Sequence, residues 1–62
     1  MGRTVIASDL APNLLIICTD HPEWGTWRVL RHYHNGTWEI RGQSGDRTLD
    51  DGDAVEFWSL AV

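Results

Sequence analysis

From Thr26 to Arg41 the chain reads T-W-R-V-L-R-H-Y-H-N-G-T-W-E-I-R, two alternating arms on either side of Asn35-Gly36. Asn-Gly is the strongest short-range signal for a two-residue hairpin, because a type I′ turn needs positive φ at both central positions. Folding the arms about that turn pairs His34 with Thr37, Tyr33 with Trp38, His32 with Glu39, Arg31 with Ile40 and Leu30 with Arg41. Cross-strand partners share a face. One face therefore gathers Trp27, Val29, Tyr33, Trp38 and Ile40, interrupted by Arg31; the other gathers Arg28, Leu30, His32, His34, Thr37, Glu39 and Arg41. Turn chemistry and alternation select the same register, and together they predict a β fold.

The 62 residues are read as one small β domain, 1–62. A chain this short buries only ~60 % of the surface that its unfolded form exposes. Such domains compensate with disulfides, a metal, close packing or a partner. A single cysteine, Cys18, excludes an internal disulfide and fits a reducing, cytoplasmic setting. Four tryptophans, Trp24, Trp27, Trp38 and Trp58, are the visible compensation, since a large aromatic side chain buries ~150–250 Å². Only Arg3 is charged near the start, and Leu14 to Cys18 is too short for a leader or a membrane span, so neither is expected.

Outside the hairpin, Arg3 to Ser8 reads as a first strand, with Val5 and Ala7 on one face. Asp9 to Asn13 is a break around Pro12, and Leu14 to Thr19 is a β-branched strand. Asp20 to Gly25 is a loop, Gly42 to Asp46 another, and Arg47 to Leu49 a short strand. Asp50 to Asp53 reads as a turn into a last strand, Ala54 to Leu60. Phe57 has the better claim to its inward side, which leaves Trp58 for a surface. Five or six short strands predict an all-β fold, either a small antiparallel barrel or a strongly bent sheet.

The segments L-D-D-G-D-A-V (49–55) and G-T-W-R-V (25–29) resemble the turn-then-strand and the tryptophan-bearing strand of SH3-like barrels. The tryptophan hairpin here precedes the Gly-Asp turn, which departs from the SH3 order. The resemblance implies SH3-like architecture only; no ligand-binding residue is carried over. Leu14 to Cys18 and the last strand are apolar on both faces, which predicts covering by a second copy in a two-fold homodimer, the alternative being strong barrel curvature or a bulge that folds both faces inward.

The formal net charge of −4 disfavours anionic membranes and general nucleic-acid binding. The charge is uneven. Arg28, Arg31, Arg41 and Arg47 stand against Glu39 and Asp46, whereas the rest of the chain sets Arg3 against seven acidic residues. Trp and Arg are enriched at interface hot spots, so Trp24, Arg28, Arg31, Arg41 and Trp58 are the candidate binding residues for a protein partner. A nucleic-acid-binding or regulatory barrel using Arg28, Arg31, Arg41 and Arg47 is the alternative. Cys18, His21, His32 and His34 have the ligand types of a zinc site. Simpler roles compete: a buried thiol for Cys18, Glu39 as partner to His32, and solvent at the turn for His34. No cofactor is therefore expected. No serine has a nucleophile-elbow context, and the acidic residues at 50–56 read as turn and solvated face, so a non-catalytic interaction module is the expected class.

Overall fold

A computed structural model describes residues 3–61. Its core element is one five-stranded antiparallel sheet in the order β4-β3-β2-β1-β5. The strands are β1 (Leu15–Cys18), β2 (Thr26–His32), β3 (Thr37–Gly42), β4 (Gly45–Asp50) and β5 (Trp58–Leu60). One helix, α1 (Asp51–Phe57), runs from β4 directly into β5. The sheet is open: β4 and β5 are its two edges, so neither the barrel nor the SH3-like closure forms. Seven helical residues rise only ~10 Å, whereas the edges of a flat five-stranded sheet stand ~19 Å apart. A helix this short can join the two edges only if the sheet curls towards itself.

The hairpin is present with a shifted register. Trp38 lies across from His32, not Tyr33, and Arg31 from Glu39. The Tyr33 amide donates to the Thr37 carbonyl (2.8 Å) and the Gly36 amide to the Tyr33 carbonyl (3.2 Å). Gly36 takes φ +83°, whereas Asn35 keeps a negative φ. The connection is thus a three-residue loop with glycine in the left-handed position, the other common use of Asn-Gly. A bulge at Leu30 shifts the register again, so that Val29 meets Ile40 and Arg28 meets Arg41. It also removes Arg31 from the apolar face and sets it beside Glu39, with 3.4 Å between Nε and Oε1. His32 shares the face of Trp38 instead, its ring exposed and 4.4 Å from that of Trp38. Tyr33, expected inside, is exposed. The expected companions Trp27, Val29, Trp38 and Ile40 are all buried.

The last segment is corrected as well. Ala54 to Leu60 is not one strand; its first half completes α1. Ala54 and Phe57 are at helical i, i+3 spacing, with Ala54 buried and Phe57 half-buried against the core. Asp51 and Asp53 lie in the first turn, where the helix dipole favours carboxylates. Arg3 to Ser8 also departs from a full strand. Thr4 bridges Ser59 and the Val5 amide reaches the Trp58 carbonyl (2.9 Å), but Ala7–Asp9 is a 3-10 turn. This segment covers the open side of β5 and leaves β4 as the free edge.

The core occupies one face. Ile16 and Cys18 of β1, Trp27 and Val29 of β2, Trp38 and Ile40 of β3, Leu49 of β4 and Trp58 of β5 are buried there with Val5, Leu10 and Ala54. Trp27 lies across the backbone of Gly42, where an added Cβ would stand 2.6 Å from the indole. Leu15 and Ile17 point to the opposite, convex side.

Candidate functional site

Where the curled sheet fails to close, a cleft of about 220 Å³ separates the free edge of β4 from the end of β1 and the loop that follows it. Cys18, Asp20, His21 and Trp24 form one wall, and Arg47, Thr48 and Leu49 the other. Asp53 and Phe57 of α1, with Trp58, complete the lining.

The β1–β2 loop builds the first wall. Pro22 opens a 3-10 turn, Pro22–Trp24, closed by the Gly25 amide on the Pro22 carbonyl (3.2 Å) with Gly25 at φ +80°. That turn stacks His21 on Trp24, ring centroids 4.1 Å apart and planes 11° from parallel. His21 Nδ1 stands 3.0 Å from Glu23 Oε2. A hydrogen bond to its own backbone amide, reinforced by His21, holds the Glu23 carboxyl below the ordinary value. Behind Trp24 the aromatics continue edge to face, Trp24 to Trp27 at 6.2 Å and Trp27 to Trp58 at 6.0 Å. The Trp24 indole is thereby braced against the core. From the opposite wall, the Arg47 guanidinium lies over the Trp24 ring at 4.4 Å.

The five candidate binding residues divide between two sides of the molecule. Trp24 and Trp58 meet in the cleft, where Trp58 is a floor residue only 4 % exposed rather than a surface anchor. Phe57 is the more open of that pair, because the helix ends there and reverses the expected facing. Arg28, Arg31 and Arg41 are exposed on the convex side. Arg41 holds Asp46 through Nε (2.7 Å) and Nη2 (3.4 Å), a contact that depresses the Asp46 pKa and raises that of Arg41. Arg31 is shared between Glu39 and the Tyr33 ring at 5.9 Å. The arginine that belongs to the cleft is Arg47. Its signal was available in sequence: with Leu49 inward, Arg47 two residues earlier points to the same face. Asp20 and Asp53 carried no such signal, because loop and helix geometry bring them to the rim.

The four zinc-type residues do not converge. Cys18 and His21 line the cleft, whereas His32 stacks on Trp38 and His34 is exposed in the hairpin loop. Thr26, the neighbour of Ile17, is ~20 Å along β2 from His32. Among the described residues no three His, Cys, Asp or Glu side chains are placed to hold a metal ion. Nor, among them, does any hydroxyl or thiol hydrogen-bond to a histidine. No described helix is long and apolar enough to cross a membrane. Comparison with protein-family models, curated proteins and solved structures returns no match to this chain.

Proposed function

We propose that the protein is a small non-catalytic interaction module that takes a side chain of a protein partner into the cleft between β4 and the β1–β2 loop. One observation carries this reading: Trp24, Trp58 and Arg47, residue types of interface hot spots, come from three separate elements to one concavity. Its volume of about 220 Å³ suits a single long or aromatic side chain rather than a whole peptide strand. The braced Trp24 ring also supports a binding role, because a rigid aromatic wall loses little entropy when a partner docks. A cytoplasmic setting belongs to the same reading and is supported by the free Cys18 thiol.

Selection of displayed peptides on the immobilised protein tests the proposal. Peptides should be enriched on the wild-type chain and lost on Trp24→Ala and on Asp20→Arg, the latter an exposed rim change that leaves the core intact. No enrichment, or enrichment indifferent to both changes, overturns it.

A further inference from the structure

Resting on that reading of the cleft, the geometry points to its ligand chemistry: a guanidinium side chain of the partner, which stacks on Trp24, pairs with Asp20 and Asp53, and takes the place now held by Arg47. The Arg47 guanidinium, 4.4 Å over the Trp24 ring, shows that the indole face accepts a planar cation from the cleft side. Arginine binds such a face by stacking as well as by charge. The rim supplies the charge complement. Asp20 and Asp53 both line the cleft, and neither forms an ion pair within 4.0 Å among the described residues. His21, the remaining titratable ring on that wall, has Glu23 as its partner. Arg47 is held only by the indole: no carboxylate among the described residues lies within 4.0 Å of it. An exposed cation–π contact alone is a weak tether, so Arg47 is readily displaced. An incoming guanidinium that also reached the two aspartates would gain what Arg47 lacks. Arg47 therefore acts as an internal competitor, and the cleft reads cationic partners while the outer arginines keep to the convex side.

Two-dimensional amide and indole NMR, titrated with Nα-acetyl-arginine methylamide, tests this directly. The Trp24 indole and the Asp20 and Asp53 amides should shift and saturate, and the isosteric citrulline compound should bind about tenfold more weakly. Arg47→Ala should bind the arginine probe roughly threefold more tightly, since a competing occupant is gone. Asp20→Asn with Asp53→Asn should weaken it, and these changes leave the core untouched even if Trp24→Ala unfolds. Equal binding of the citrulline compound, or weaker binding by Arg47→Ala, overturns the inference. So does preference for the matching glutamate compound, which would make Arg47 a contact for acidic partners and leave the proposed binding role intact. Failure of every probe together with failure of the peptide selection would remove both.

Discussion

Gly42 has its place because the Trp27 indole covers it. Three indole atoms stand 2.6–2.9 Å from where a Cβ would be, closer than carbon atoms tolerate. Trp27 cannot retreat, since it is buried and wedged edge-on between Trp24 and Trp58. Gly42→Ala is therefore expected to destabilise by about 1–3 kcal/mol, the usual cost of overpacking, read from the midpoint of urea unfolding. A second residue-scale effect sits on the convex side. The Tyr33 hydroxyl donates to Glu39 Oε1 at 2.6 Å, and this bond raises the Tyr33 pKa above the ordinary phenol value. A raised folded pKa adds stability that is complete below the unfolded value and is lost as the pH climbs through the folded one. Titration followed by phenolate absorbance should show Tyr33 ionising late, and Glu39→Gln should return it towards the ordinary value. The partner of Tyr33 was not legible from the sequence. The two-residue turn sets Tyr33 against Trp38, and only the longer loop frees its hydroxyl for Glu39.

At the scale of elements, the hairpin shows how much a local signal specifies. Asn35-Gly36 locates the turn and alternation identifies Trp27, Val29, Trp38 and Ile40 as the buried set, and both hold. The loop type does not follow, because a two-residue turn and a three-residue loop both accept glycine at a left-handed position. The misfit that separates them was visible as an arginine on an apolar face. A bulge at Leu30 resolves it, a device that re-aims side chains without changing the pairing of whole strands. Gly36→Ala tests the loop: at φ +83° a Cβ is strained, and a cost of about 1–2 kcal/mol is expected from thermal unfolding. The helix α1 was hidden by a coincidence of spacing. Val55 and Phe57 alternate as in a strand, but the residues that turn towards the core are Ala54 and Phe57, three apart. A seven-residue helix is too short to declare its period against that alternation. Its presence brings Asp53 to the cleft, so the site was less legible than the sheet.

On the scale of the whole molecule, charge and apolar surface set how the protein meets others. Two exposed carboxyls have pKa values below the ordinary range, Asp46 through its hydrogen bond from Arg41 and Glu23 through its backbone and His21. Depressed folded values add stability that is present above the unfolded pKa and is lost as the pH falls through the folded one. The melting temperature should decline below about pH 4, and added salt should shrink the decline, since exposed charges are screened. Arg41→Gln should remove the part due to Asp46. The apolar surface bears on self-association, the expectation raised by the two-sided β1. Leu15, 39 % exposed, does stand on the convex face with Ile17 half-buried beside it. The other exposed large apolar residues, Ile6, Tyr33 and Val55, belong to three other segments. A standard dimer removes ~800 Å² from each partner, about one fifth of the 4032 Å² that the described residues expose. The strip of Leu15 and Ile17, flanked by Arg28, covers only part of such a footprint, so a two-fold pair formed through β1 must also bury the polar margin around it. Light scattering behind size-exclusion chromatography at high micromolar concentration decides the matter: a clean 7.0 kDa species removes the two-fold pair. A dimer abolished by Leu15→Arg would place the interface on β1 and shift the partner's role from a foreign chain to a second copy.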